Sequence, residues 1–284
     1  IQEGCDKFCS FCVVPYTRGA EFSRPLEDIY AEASSLVQKG AREITLLGQN
    51  VSAYNSEVFK DGKKVKVKLS YLCEALSKII GLERIRYLTS HPIDIDELLI
   101  DQHKVNSKLM PFLHLPIQSG SDRVLKKMNR KHDKNFYLDL ISKIKKKNNR
   151  MAFSSDFIVG YPGETDHDFE ETLDLIERVK FASSYSFKYS SRPGTPASID
   201  NNHVNEKIAD VRLKKIQEVL NNQQNQFNKS FLGKTINVLF TGRGKKINQF
   251  VGRTPHLQPV HVFSNYDLTG QLLKVELSQL TSFS

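Results

Sequence analysis

The chain has 284 residues, 39% of them hydrophobic and 26% charged, which is enough apolar material for a buried core and rules out disorder as the main state. No apolar run approaches the roughly 18 residues of a membrane span, so an integral membrane protein is not expected, and four cysteines are too few for a disulfide scaffold. The net charge of +9 permits an anionic partner without naming one. The chain opens at Ile1 without an initiator Met and shows no signal peptide. We expect a cytoplasmic protein and read the chain as a fragment whose upstream part is missing.

In chain order, Ile29, Ala33, Leu36 and Val37 repeat with helical spacing between Pro25 and Gly40, and Ile44 to Leu47 follow as a short strand. A second stripe, Leu69, Leu72, Cys73, Leu76, Ile79 and Ile80, ends at Gly81 and leads into a strand from Arg84 to Thr89. Phe112 to Ile117 and Phe153 to Val159 read as strands, with a helix through Phe136, Leu140, Ile141 and Ile144 between them. Thr165 is placed to cap a helix whose inner face is Phe169, Leu173 and Ile176, and Tyr185 to Tyr189 is the next strand. This βα alternation predicts a partial parallel (β/α)6-type barrel with helices outside.

The pattern changes after about residue 200. Ile208, Val211, Ile216, Val219, Leu220 and Phe227 fit one long helix, and beyond Thr235 short strands alternate with glycines. Ile236 to Phe240, Gln249 to Arg253, Val260 to Phe263 and Leu272 to Leu280 predict a small all-β barrel, dividing the chain into 1–222 and 223–284. From Gln226 onward, seven Lys or Arg stand against two acids. With Phe240, Phe250, Phe263 and Tyr266 among them, the basic residues Arg243, Lys245, Lys246 and Arg253 point to RNA, held by phosphate attraction and base stacking. The plainer reading keeps the aromatics in the core and the charges as solubilising.

Cys5, Cys9 and Cys12 have the spacing CxxxCxxC. Iron–sulfur clusters usually take four Cys, so a three-thiolate loop leaves one iron open to a small molecule. Zinc is the competing metal, but a structural zinc site needs four protein donors. Cys73 sits on an apolar stripe and is expected to be core.

The cysteine spacing resembles that of the radical S-adenosylmethionine enzymes, in which the open iron holds the amino and carboxylate groups of that cofactor and reductive cleavage gives a 5′-deoxyadenosyl radical. Further stretches resemble the tRNA adenosine methylthiotransferases of that superfamily: Val14-Pro-Tyr-Thr-Arg-Gly19, Leu46-Leu-Gly-Gln-Asn-Val51, Ser90-His-Pro92, His114-Leu-Pro-Ile-Gln-Ser-Gly-Ser-Asp122, Met128-Asn-Arg130, Asp156-Phe-Ile-Val-Gly-Tyr-Pro-Gly-Glu164 and Arg192-Pro-Gly-Thr-Pro196. The C-terminal segment resembles their TRAM domain, an OB-like RNA-binding barrel, so the resemblance covers nearly the whole chain.

The resemblance implies a 4Fe–4S cluster on Cys5, Cys9 and Cys12, with S-adenosylmethionine bound by Gly48, Gln49, Asn50, Ser90, Gln118, Ser119, Asp156 and Gly160. It implies a methylthio group added to carbon 2 of isopentenyladenosine beside the tRNA anticodon. The branch acting on threonylcarbamoyladenosine is the alternative, and a non-catalytic RNA-binding protein with a structural metal is another. The family also carries an N-terminal domain with three further Cys and a second 4Fe–4S cluster, for which this chain has no Cys to spare. The expected partners are the anticodon stem-loop and an unidentified electron donor, with no membrane and a monomeric protein. Arg18, Arg24, Arg130 and Arg192 could meet carboxylate or phosphate, and His91 and His114 are expected to hydrogen-bond at strand ends.

Overall fold

The computed structural model describes residues 1–281. In order, the elements are β1 (Gln2–Glu3), α1 (Val14–Arg18), β2 (Phe22–Ser23), α2 (Leu26–Gln38), β3 (Glu43–Leu46), β4 (Asn55–Lys60), β5 (Lys63–Lys68), α3 (Leu69–Ser77), β6 (Arg84–Tyr87), α4 (Glu97–Val105), β7 (Phe112–His114), α5 (Asp122–Lys127), α6 (Lys134–Lys147), β8 (Ala152–Val159), α7 (Asp166–Val179), β9 (Ser183–Lys188) and α8 (Glu206–Lys229). Four strands follow: β10 (Thr235–Arg243), β11 (Gln249–Arg253), β12 (Pro259–Phe263) and β13 (Leu272–Glu276).

The parallel pairs β3–β6, β7–β8 and β8–β9 are joined by single bridges, Gln2 to Gly48 and Ile85 to Leu109. The result is an open arc, β1-β3-β6-β7-β8-β9, with helices between successive strands, as the βα alternation requires. Side chains alternate across such strands. One face sends Leu46, Ile85, Leu113, Phe153 and Phe157 into the main core with Leu72, Leu76, Ile141 and Ile176 from the helices. The other face, with Glu43, Arg84, Arg86, His114 and Asp156, lines the inside of the arc.

Several helices end where local chemistry dictates. Thr165 accepts from the Asp168 amide while Asp168 accepts from the Thr165 amide, a reciprocal cap on α7. α3 stops at Ser77, short of the expected Gly81, and Ile80 is 95% exposed, so Ile80 is not part of the buried stripe. Cys73 is fully buried, and burial pushes its thiol up to about 12. The β4–β5 hairpin and α4 were not expected. The hairpin turns through Asp61 and Gly62, both at positive φ, the geometry a two-residue Asp-Gly loop favours.

Gly120 carries a packing constraint. A Cβ there would lie 2.5 Å from the Glu171 carbonyl oxygen and 2.6 Å from the Thr172 Cα, and its amide donates to Thr172 Oγ1 at 2.9 Å. Neither neighbour is a flexible side-chain end, so Gly120→Ala is expected to destabilise the fold by about 1–3 kcal/mol. Urea unfolding reads this directly; an unchanged midpoint would show that α7 can shift without cost.

The C-terminal strands form one antiparallel sheet, β12-β11-β10-β13, with its own core of Val238, Phe240, Phe250 and Val260. β10 and β11 slip register between Phe240 and Gly242, a bulge that increases local twist. β13 ends at Glu276 rather than near Leu280. Residues 282–284, the last of the expected 223–284 segment, lie outside the described residues.

Candidate active site

The cysteine loop leaves the end of β1 and returns through α1 to β2, which pairs antiparallel with β1. Its stem is tight. Gly4 has φ +70°, and a Cβ there would lie 2.0 Å from the Ala20 carbonyl oxygen, so only glycine fits. The Cys5 amide donates to the Gly19 carbonyl at 3.2 Å and the Ser10 amide to the Met128 carbonyl at 3.0 Å. Asn129 Nδ2 holds the Phe8 carbonyl at 2.7 Å. The loop is therefore fixed by backbone bonds to its surroundings before any metal is considered.

Cys9 is buried, while Cys5 and Cys12 are half-buried. Burial pushes the Cys5 and Cys12 thiols up, and the neighbouring cysteines add to the shift. A bound cation would reverse that by stabilising thiolate. Arg130 brings the opposite influence: its Nη1 is 3.5 Å from Cys9 Sγ, and its Nη2 donates to the Pro116 carbonyl. Among the described residues no group of three or more His, Cys, Asp or Glu side chains is arranged to hold a metal ion. Cys5, Cys9 and Cys12 are the three thiols of one loop, the donor set that would hold a cuboidal cluster with one iron left open.

The strand ends divide the expected cofactor residues into two groups. Gln49 Oε1 and Ser90 Oγ are buried with no protein partner, as are the Arg130 Nε, both His132 ring nitrogens and the Tyr189 hydroxyl. Buried polar groups without partners are costly, and these are the atoms a polar ligand would satisfy. The others already have protein partners. Asn50 donates to Asp94 Oδ2 at 2.8 Å and accepts from the Ser52 hydroxyl and the His91 amide. Ser119 Oγ lies 3.3 Å from Thr172 Oγ1 and accepts from the Ser121 amide. Gly48 approaches the Gln2 carbonyl, where a Cβ would come within 2.6 Å. Gln118 sits at φ +82°, bonded through its backbone to Asp156.

Asp156 Oδ2 lies 3.4 Å from His114 Nε2, and His114 Nδ1 is 3.0 Å from Ser154 Oγ. His114, Ser154 and Asp156 share the inner face with Tyr185 and Phe187, which are 61% and 53% exposed. Gly160, at φ +70°, faces α8, where a Cβ would lie 2.9 Å from Ala209 Cβ. Its close approach is helix packing. His91 and His132 are buried with ring centroids 5.5 Å apart. Burial first, then the Arg130 charge, pulls both imidazoles down, His132 to about 4. They are neutral at pH 7.

Sequence reasoning overlooked the supports of this site. Gln2, 2% exposed, donates to the Gly4 carbonyl at 2.8 Å and accepts from the Asn50 amide at 2.8 Å. One amide side chain thus ties the cysteine loop to the end of β3. Lys7 pairs with Asp94 at 3.0 Å. The only signal was a polar residue in a strand beside the first Cys. Among the other arginines, Arg24 pairs with Glu32 at 2.8 Å, Arg192 Nη1 meets Ser190, and Arg18 is exposed.

The C-terminal sheet meets the opposite end of the arc. Arg84 Nη1 and Nη2 donate to the Arg253 and Asn237 carbonyls, each at 2.8 Å. Arg86 donates to the Pro255 and Thr254 carbonyls at 2.8 and 3.0 Å, and Glu43 sits 3.1 Å from Arg86 and 3.7 Å from Arg84. Arg243, Lys245, Lys246 and Arg253 are exposed; the Arg243 guanidinium also lies over Phe250. The expected aromatics split, with Phe240 and Phe250 in the core and Phe263 and Tyr266 exposed.

The family model described as Radical SAM superfamily matches residues 1–176. A protein of Rickettsia canadensis (strain McKiel) named tRNA-2-methylthio-N(6)-dimethylallyladenosine synthase is 50% identical over 285 residues, covering 100% of this chain and 63% of that protein. One of the same name from Rickettsia bellii (strain RML369-C) is 52% identical over 280 residues, covering 98% and 62%. The chain thus spans a little over three fifths of the length of these curated relatives. Among solved structures, the radical S-adenosylmethionine methyltransferase TsrM of Kitasatospora setae, with cobalamin and a [4Fe-4S] cluster bound, superposes with TM-score 0.55 at 16% identity, over 70% of this chain and 37% of that one. Streptococcus suis SuiB bound to S-adenosylmethionine gives 0.52 at 11%, over 78% and 46%; both likenesses concern the fold alone. No helix among the described residues is long and apolar enough to cross a membrane. A three-thiol loop at the mouth of an open parallel arc, matched by the family model from β1 through β8, places this chain in the radical SAM superfamily.

Proposed function

We propose that the chain is the catalytic core and RNA-binding part of a methylthiotransferase acting on carbon 2 of dimethylallyladenosine beside the tRNA anticodon. The observation that carries this reading is the 50–52% identity, along 98–100% of this chain, to proteins named for that reaction. The division is 1–222 for the core and 223–284 for a TRAM-like RNA-binding unit, with α8 running across the boundary. The second 4Fe–4S cluster belongs to length in the relatives that this chain does not span. An unidentified electron donor, a monomeric state and a cytoplasmic location complete the proposal.

In this reading Cys5, Cys9 and Cys12 hold the cluster, and Gln49 and Ser90 supply the unsatisfied polar atoms nearest the cofactor. Bound together there, the cluster and S-adenosylmethionine supply a carbon radical able to take hydrogen from a C–H bond beyond acid–base chemistry. The chain's residues do the positioning. Arg130 places positive charge beside the Cys9 sulfur, Gln2 and Asn129 fix the loop, and His91 and His132, neutral beside Arg130, add no further positive charge. Tyr185 and Phe187 offer exposed rings on the inner wall, where an adenine could stack above the His114–Asp156 pair.

The test is anaerobic reconstitution of the chain, with about four irons expected. Dithionite and S-adenosylmethionine should then give 5′-deoxyadenosine. Deleting the gene should remove methylthio-dimethylallyladenosine from the host's tRNA. Loss of the threonylcarbamoyl derivative instead would reassign the substrate, and a protein that takes only zinc and cleaves nothing would leave a non-catalytic RNA binder.

A further inference from the structure

We propose that the β4–β5 hairpin is an RNA-contacting surface of this protein, distinct from the basic loop of the C-terminal sheet. The proposal rests on the reading of tRNA as substrate and adds a contact element to it. The hairpin pairs Asn55 with Lys68, Glu57 with Lys66 and Phe59 with Lys64 on one face. The other face buries Val58 and Val67 in the main core, which fixes the register so that the lysine row must point outward. Lys64, Lys66 and Lys68 are therefore a ladder with steps of about 6.6 Å, two residues of strand rise, a repeat comparable to successive phosphates on a nucleic-acid strand.

On the ladder, Lys66 makes no ion pair among the described residues, and Lys64 and Lys68, which pair with Glu57 at 3.3 Å and Asp96 at 3.0 Å, stay more than 60% exposed; Lys60 and Lys63, on the opposite face near the tip, are also without an ion pair among the described residues. Phe59 stands 74% exposed near the tip, with Lys64 Nζ 5.9 Å from its ring centroid. An exposed ring flanked by lysines is the pairing that holds single-stranded RNA, by stacking and phosphate attraction. The base of the hairpin adjoins the candidate active site: the Asn55 amide donates to Ser23 Oγ at 3.0 Å, and Ser23 pairs with Gln2 at the stem of the cysteine loop. RNA held on this ladder would thus run toward the cysteine loop. An acidic protein is the competing occupant, but an exposed ring beside the lysine row favours a base over a carboxylate. Lysines also shield strand edges from unwanted pairing, a role that would leave RNA affinity unmoved.

The experiment compares the whole chain with its Lys64→Gln/Lys66→Gln/Lys68→Gln variant, which removes the ladder charge, and with the charge-keeping Arg triple at the same three positions. Each is titrated with an anticodon stem-loop RNA at several salt concentrations. The Gln triple is expected to bind on the order of tenfold more weakly, with a log K against log salt slope shallower by about 2; the Arg triple should bind like the parent. Phe59→Ala should weaken binding with no change of slope. A parent that binds the RNA with a Gln triple of equal affinity and slope overturns the hairpin proposal alone. A parent with no salt-dependent RNA binding overturns both it and the tRNA reading. Unchanged melting of the Gln triple, and unchanged 5′-deoxyadenosine formation without RNA, tie any loss to binding.

Discussion

Cys9→Ala is expected to abolish iron loading and, with it, reductive cleavage of S-adenosylmethionine. Cys9 is the most buried of the three loop thiols; its carbonyl accepts from the Cys12 amide at 2.9 Å, and its sulfur is the one Arg130 faces. Two thiols cannot stand in for three corners of a cluster, and no other Cys is within reach, since Cys73 is sealed in the core. Loss of an outer partner of a metal ligand typically costs 10–100-fold. Loss of this ligand should exceed about 100-fold in 5′-deoxyadenosine formation, with iron content falling to background. The fold should survive, because the loop is held by Gly4, Asn129 and Gln2 rather than by the metal. Wild-type iron content and turnover in the variant would remove Cys9 from the site.

The second large effect is expected at the seam between the arc and the C-terminal sheet. Arg84 is 2% exposed, and its guanidinium satisfies two backbone carbonyls of the C-terminal segment while sitting near Glu43. Burial pulls its basicity down and Glu43 partly restores it, but an arginine remains charged. Arg84→Ala would leave the Asn237 and Arg253 carbonyls unsatisfied and Glu43 short of one partner. Breaking a buried charge network in this way costs about 3–5 kcal/mol. In practice the C-terminal sheet should melt separately from the core, visible as a second calorimetric transition and as early proteolysis between residues 229 and 235. A single transition within about 1 kcal/mol of the parent would show that the seam is held elsewhere, for example by His256 on the Arg150 carbonyl.

Local periodicity and capping chemistry were legible in the residues themselves. The βα alternation, the Thr165 cap, the long helix through Phe227 and the cysteine spacing all depend on neighbours in sequence, and each has its counterpart in the structure. Helix ends were less legible: Ile80 carries the period of its helix yet lies in solvent, because α3 stops at Ser77. The β4–β5 hairpin was missed because its alternation is carried by lysine rather than by apolar residues.

What only the tertiary structure decided is which polar groups are already satisfied. Gly48, Asn50, Ser119 and Gly160 read from sequence as ligand contacts; in the fold their close approaches or hydrogen bonds go to Gln2, Asp94, Thr172 and Ala209. Gln49 and Ser90 read the same way and keep buried atoms without partners. Arg84 and Arg86 carried no sequence signal beyond alternation, yet they join the C-terminal sheet to the arc. Spacing along the chain determines which side chains can share a face, whereas the partner of a buried polar atom is fixed by residues tens to more than a hundred positions away, which meet only once the strands are laid side by side.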